Sequence, residues 1–156
     1  MAIGDYCTRD VCTVERSDTL REAARKLGEA GVGCLVVLDG AAVAGVVTDR
    51  DLALSTLARG HDPDATGVGE LVAERAAVVV HEDSSLGVAA GMMRRHAIRR
   101  LPVLDADERL VGLIASDDLM RMVSRELSGL ARAIGAQTPQ TSHEVSVGSA
   151  AAPEVE

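Results

Sequence analysis

The chain states one pattern twice, and a duplicated unit constrains the fold more than any single motif does. Leu35-Val36-Val37-Leu38-Asp39 returns as Leu101-Pro102-Val103-Leu104-Asp105. Ser17-Asp18-Thr19-Leu20 returns at the same separation as Asp83-Ser84-Ser85-Leu86. Gly45-Val46-Val47-Thr48-Asp49-Arg50-Asp51-Leu52 returns one residue further along as Gly112-Leu113-Ile114-Ala115-Ser116-Asp117-Asp118-Leu119. The block order is the same, and the slip falls between the last two blocks. Two similar units in a chain of 156 residues are expected to share a core. The cleft between them is then the natural place for a ligand.

Each unit reads as β-α-β-β-α. In the first, Ser17 or Asp18 is a plausible helix cap, followed by Leu20, Ala23, Ala24 and Leu27 at helical spacing. Gly28 and Gly31-Val32-Gly33 close that helix. Cys34 to Leu38 is a short apolar run, as in a strand buried on both faces. Asp39-Gly40 turns the chain into a partner strand, Val43 to Val47. Thr48-Asp49 then caps a helix through about Leu57. In the second unit the same reading gives a strand at 77–80 and a helix capped by Ser84 or Ser85 that ends near His96. Strands at 101–104 and 110–115 follow, then a last helix from Ser116-Asp117 to about Leu127. The units occupy residues 5–60 and 68–127, with a Gly/Asp/Pro linker at 61–67. An extension at 128–156 turns polar and small, which predicts disorder after about 135.

Composition narrows the function. There is no Trp or Phe, and Tyr6 is the one aromatic residue, which disfavours stacking platforms for bases or sugars. A net charge of −8 argues against nucleic acid and anionic membranes. No apolar run reaches the length of a bilayer span. Met1-Ala2-Ile3-Gly4-Asp5 lacks the basic and apolar regions of a secretory signal, so a cytoplasmic protein is expected. Lys26 is the only lysine among 16 basic residues, a bias typical of GC-rich bacterial genomes.

The polar residues that lead from strand to helix carry the chemistry. A helix N-terminus offers free N–H groups and a positive dipole end to a phosphate. A carboxylate one turn in can accept from two ribose hydroxyls. Thr48 with Asp51, and Asp118 in the second unit, fit that pattern, although first-turn caps explain the same residues. Arg94-Arg95-His96 and Arg99-Arg100 form the one basic cluster. Arg94 and Arg95 read as a solvated helix face, and His96 as a helix-end residue. Arg99 and Arg100 divide evenly between phosphate contact and surface ion pairing. Cys7 and Cys12 lack the spacing of a zinc site, and Cys34 reads as core. No nucleophile elbow, zinc-protease motif or phosphate loop is present, so no catalytic residue is assigned.

Over about residues 5–127 the two units resemble the CBS repeat, named after cystathionine beta-synthase. The resemblance is carried by Gly45 to Asp51, its echo Gly112 to Asp118, and Ile98-Arg99-Arg100-Leu101-Pro102-Val103-Leu104-Asp105. It implies a paired α/β module with pseudo-two-fold symmetry, often dimerised into a larger disc. It also implies AMP, ADP, ATP or S-adenosylmethionine in the clefts as regulatory ligands rather than required cofactors, and a regulated partner rather than catalysis. By the same resemblance Thr48 and Asp51 would hold ribose and phosphate, Asp118 a second ribose, and Arg99 and Arg100 the phosphates. Adenine would lie between aliphatic side chains such as Val14 and Val47. Ala115 stands where the family prefers Ser or Thr, which favours the Thr48/Asp51 cleft. Asp117 occupies a place where a base would help, which favours a monophosphate over a triphosphate. A dimeric scaffold without ligand, and a thiol- or metal-responsive protein using Cys7 and Cys12, are the alternatives.

Overall fold

A computed structural model describes residues 2–73 and 76–135. The chain divides into two compact units, Met1–Val123 and Ser124–Glu156. The extension expected to be disordered after 135 lies outside the described residues.

Among the described residues six strands form two sheets of the same topology. In the first, β1 (Thr13–Glu15) pairs in parallel with β2 (Cys34–Asp39), which pairs antiparallel with β3 (Ala42–Thr48). In the second, β4 (Val80–His81), β5 (Arg100–Leu104) and β6 (Leu110–Ala115) repeat that order. A bulge falls between Val37 and Leu38 in one hairpin and between Val103 and Leu104 in the other. The one-residue slip between the copies sits in the hairpin turns. The first hairpin turns through Gly40 (φ 61°), whereas the longer second one places Glu108 at the same left-handed φ of 61°. The fold is thus the paired α/β arrangement that the duplication implied.

Helix α1 (Leu20–Ala30) buries Leu20, Ala23 and Leu27. Its cap is Thr19 rather than Ser17 or Asp18. Thr19 accepts from the Glu22 N–H while Glu22 accepts from the Thr19 N–H, a reciprocal capping box. Asp18 is engaged one step earlier, accepting the Glu15 N–H at 3.0 Å and closing the preceding turn. Helix α2 (Asp49–Ala53) widens into a π-helical turn at Leu54–Ala58. There Ser55 is buried and bonds His61 Nδ1 at 2.8 Å, while Thr56 Oγ1 donates to the Leu52 carbonyl. A short α3 (Gly69–Val72) was not foreseen in the sequence. Helix α4 (Leu86–His96) is capped by Ser85 and mirrors α1.

Helix α5 spans Ser116–Gly135, eight residues past the expected end at Leu127. Ala131 and Ala133, with Leu127, Leu130 and Ile134, make this first part of the 128–156 extension compatible with a helix.

Within Met1–Val123 the segment before each repeat packs on the other repeat. Ile3 and Gly4 donate to the carbonyls of Ser84 and Glu82, and Thr8 pairs with Leu113. In the same way Val68 and Gly69 donate to Asp18 and Arg16, and Thr19 bridges Gly67. Ile3 therefore belongs to the second core, with Leu101, Val103 and Ile114, while Val68 and Val72 belong to the first, with Leu35 and Val37. Gly4 and Gly69 occupy equivalent contacts. A Cβ at either would lie 3.0 Å from the backbone carbonyl oxygen of Glu82 or Arg16.

Candidate ligand cleft

β3 ends at the motif, and its last residue does local work first. Thr48 Oγ1 accepts the Asp51 N–H at 3.2 Å and donates to Asp51 Oδ2 at 2.6 Å. The Thr48 N–H also donates to Oδ2, at 2.9 Å. This capping box fixes one carboxylate oxygen of Asp51 and leaves Oδ1 without a bond to the described residues. Asp51 is exposed and lines a cleft of about 130 Å³. The floor is Ala44 to Val47 of β3, the far wall is Ala76, Ala77 and Val78, and Leu71, Val72, Ile98 and Arg100 complete it. The cleft is therefore built from both repeats: the motif of the first meets the strand entry of the second.

That explains why β4 is shorter than expected. Val80 and His81 find parallel partners in Val103 and Leu104. Ala76 to Val78 turn to the cleft instead. The apolar run at 76–80 was readable in sequence, but its division between sheet and cleft wall depends on where β5 ends. These wall residues and Ile98 were missed.

The other expected site residues divide. Val47 is fully buried and lies on the cleft floor. Val14 does not line this cleft; it is buried in the first core beside Leu35 and Val37, because β1 sits on the outer side of β2. Arg100 lines the cleft and also a smaller one of about 70 Å³ with Arg99, Ala115, Ser116 and Asp117. Neither Arg99 nor Arg100 has an ion-pair partner among the described residues. Gly33 leaves space beside this arginine: a Cβ there would lie 3.6 Å from Arg100 Nη2 and 3.9 Å from Asp49 Oδ2.

Asp118 occupies the position equivalent to Asp51 but is differently engaged. Its Oδ2 accepts the Ala115 N–H at 2.8 Å, with no hydroxyl beside it, and Oδ1 pairs with Arg121. Its side chain is 11% exposed. In the first repeat the residue corresponding to Arg121 is Leu54, so Asp51 has no such partner.

The cysteines are free, and burial pushes the Cys34 thiol up from its ordinary value, opposed by the Arg100 guanidinium. Burial also raises Cys7, against the pull of Arg9. Among the described residues no group of three or more His, Cys, Asp or Glu side chains is placed to hold a metal ion. No helix among them is long and apolar enough to cross a membrane.

A profile of the CBS domain matches residues 3–55 and 68–125. The chain belongs to the CBS-domain family, as a pair of repeats. Among its relatives is the CBS domain-containing protein YhcV of Bacillus subtilis, 37% identical over 131 residues, which cover 83% of this chain and 91% of that one. Among solved structures, Hypoxic Response Protein I with two coordinated zinc ions is 32% identical with a TM-score of 0.69, covering 78% of this chain and 98% of that one. That protein bears the name of a Mycobacterium tuberculosis relative 33% identical over 118 residues, 75% of this chain and 81% of that one. A CBS domain protein of Pyrobaculum aerophilum complexed with AMP is 27% identical with a TM-score of 0.71, covering 83% of this chain and 99% of that one.

Proposed function

We propose that this CBS pair is a regulatory module that binds an adenosine nucleotide in the Asp51 cleft and signals to a partner protein. The observation that carries the reading is the asymmetry of the two motif carboxylates. Asp51 faces a two-repeat cleft with one oxygen uncommitted and Arg100 on the same wall. Asp118 is neutralised by Arg121. In this reading Asp51 Oδ1 accepts from the ribose hydroxyls. Val47 and Val78 flank the base, which takes Val78 in place of Val14. Arg100, with Arg99 and Ser116 next to it, receives the phosphate. AMP in the Pyrobaculum relative supports a nucleoside monophosphate. Asp117 beside the basic pair disfavours the added charge of ADP or ATP, and S-adenosylmethionine would put a cation against Arg100.

A site for a whole ligand usually measures about 300–1,000 Å³, larger than the cleft between the repeats. Entry of the nucleotide therefore widens the gap between β3 and the 76–78 wall. A ligand that binds only the widened form shifts the population toward it, by as much as its affinity for the two forms differs. That shift is the signal. We place the module in the cytoplasm as a homodimer; Leu57, 87% exposed, and Met120, 66% exposed, support an assembled state.

Absorbance offers a direct test, because the chain has one Tyr and no Trp. Freshly purified protein with bound nucleotide absorbs at 260 nm, and acid precipitation moves that absorbance to the supernatant. Titration calorimetry then compares AMP, ADP, ATP and S-adenosylmethionine on the emptied protein. Binding that survives Asp51→Ala unchanged overturns the site. No binding of any of these compounds favours a ligand-free scaffold, which Ala115 and the closed Asp118–Arg121 pair make the second reading.

A further inference from the structure

The Asp51 cleft is not the end of the open space along β3. Beyond Ala44, Val72 and Ala77, which line both, a second pocket of about 240 Å³ follows the strand to Ala42 and ends at Arg16 and Asp39. The sheet register builds that end. Arg16 follows β1, and its N–H donates to the Leu38 carbonyl at 2.9 Å. Asp39 closes β2 and pairs across with Ala42 of β3. Gly69 of α3 gives the arginine its place: a Cβ there would come within 3.1 Å of Arg16 Cβ and 3.2 Å of its Nε. A single bond joins the pair, from Arg16 Nη1 to Asp39 Oδ2 at 2.9 Å. Asp39 Oδ1 and Arg16 Nη2 have no bond to the described residues, so the pair offers a charged acceptor beside a charged donor.

Val72 forms the neck between the two spaces. It lies against β3 so closely that a Cβ on Gly45 would be 3.0 Å from its Cγ1. From Val47 in the first cleft to Ala44 at the neck is three residues of strand, about 10 Å, which suits a nucleoside lying lengthwise. The first cleft of about 130 Å³ and the second of about 240 Å³ each fall below the size of a whole-ligand site, and joined they enter that range.

We infer that the second pocket is the base-reading end of the Asp51 site, where Asp39 selects a 6-aminopurine over a 6-oxopurine. The inference rests on the nucleotide reading above and deepens it. With the ribose at Asp51 and the base entering between Val47 and Val78, the C6 edge of the purine leads toward the neck. An exocyclic amine donates to Asp39 Oδ1, and the adjacent ring nitrogen accepts from Arg16. A 6-oxopurine reverses both polarities: its carbonyl oxygen meets the carboxylate and its ring N–H meets the guanidinium. A site that offers a polar partner rejects the analogue that lacks the matching group. Val72 yields as the base passes, so the neck is where the widening proposed above takes place.

Titration calorimetry with AMP and with IMP tests this on wild type, Asp39→Asn and Asp39→Ala, with circular dichroism as the control for folding. Wild type is expected to prefer AMP by about 10-fold or more. The Asp39→Asn amide can donate to a carbonyl, so this variant weakens AMP, strengthens IMP and brings the two within about threefold. Asp39→Ala weakens AMP. An AMP-to-IMP ratio unchanged in Asp39→Asn, with AMP binding still lost in Asp51→Ala, overturns the base-reading end and leaves the nucleotide site in place. Equal gains for both compounds in Asp39→Asn report only the removal of a negative charge and overturn it as well. Binding of neither compound to wild type overturns this inference and the nucleotide reading together.

Discussion

The two repeats share a backbone but not a chemistry, and the differences are single residues at matching positions. Thr48 in the first motif corresponds to Ala115 in the second. With the hydroxyl, Asp51 spends one oxygen on a capping box and leaves the other without a bond to the described residues, at a position that lines the cleft. Without it, Asp118 caps through the Ala115 N–H and takes Arg121 as a partner. Cys34 of β2 stands where β5 has Arg100, so one strand opens with a buried thiol and the other with a cation on the cleft. Duplication supplied two equal scaffolds. In the first copy one carboxylate oxygen of the motif is left unbonded, and in the second the carboxylate is internally paired.

The largest expected effect separates the two aspartates. Asp51→Ala is expected to weaken AMP by about 100-fold or more, the loss of charge-assisted hydrogen bonds to ribose, with an unchanged melting temperature within a few degrees. Asp118→Ala is expected to do the reverse. Affinity stays, while denaturant unfolding shows a loss of about 1–3 kcal/mol, because a buried cap and ion pair are removed. Equal effects of the two on binding would erase the distinction.

The arms that cross between repeats come next. A Cβ at Gly112 would collide with Cys7 Sγ and lie 3.2 Å from the Thr8 carbonyl. Gly112→Ala is therefore expected to destabilise by about 2–3 kcal/mol in urea, and Gly28→Ala, with open space around it, to be neutral or slightly stabilising. Proteolysis near residue 8 should rise in the first variant alone.

Ala115→Thr would make the second motif like the first. A capping hydroxyl is expected to add about 0.5–2 kcal/mol, read from the melting temperature. Combined with Arg121→Leu, which matches Leu54, it frees Asp118. Calorimetry should then show the stoichiometry of AMP moving from one site toward two.

Helix ends give a smaller contrast. Gly31 and Ala97 both close their helices in left-handed conformation, at φ 63° and 53°. Ala97→Gly is expected to stabilise by about 0.5–1 kcal/mol and Gly31→Ala to cost a similar amount. Differential scanning calorimetry resolves both.

The thiols give the smallest effect near neutral pH. Burial raises Cys34 above its ordinary value of 9.0, so the folded state holds that proton more tightly. This contribution is intact below pH 9 and is lost as pH rises through the folded value, so stability declines only on the alkaline side. Alkylation of Cys34 in native protein should be slow at pH 7 and accelerate in urea. Arg100→Ala removes the opposing cation and should slow it further.

How far the sequence reached follows from the range of the forces involved. The type and order of the elements other than α3 were legible because they are set by neighbours in the chain: the apolar period of α1, a cap at Ser84 or Ser85 (Ser85 in the structure), the Asp39-Gly40 turn and the boundaries of β6. Duplication made the paired fold legible, and the motif made Thr48, Asp51 and Val47 legible as one group. What the chain could not state locally was which surface each segment would meet. That Ile3 joins the second core and Val68 the first depends on closing long loops against apolar contacts at the far end. That Val14 faces the core, while Ala76 to Val78 wall the cleft, depends on which side of each central strand its neighbour takes. That Arg121 claims Asp118 depends on a helical turn placing them together at a buried position. Local chemistry wrote the parts, and only packing, which rewards burial without regard to chain separation, decided how they face one another.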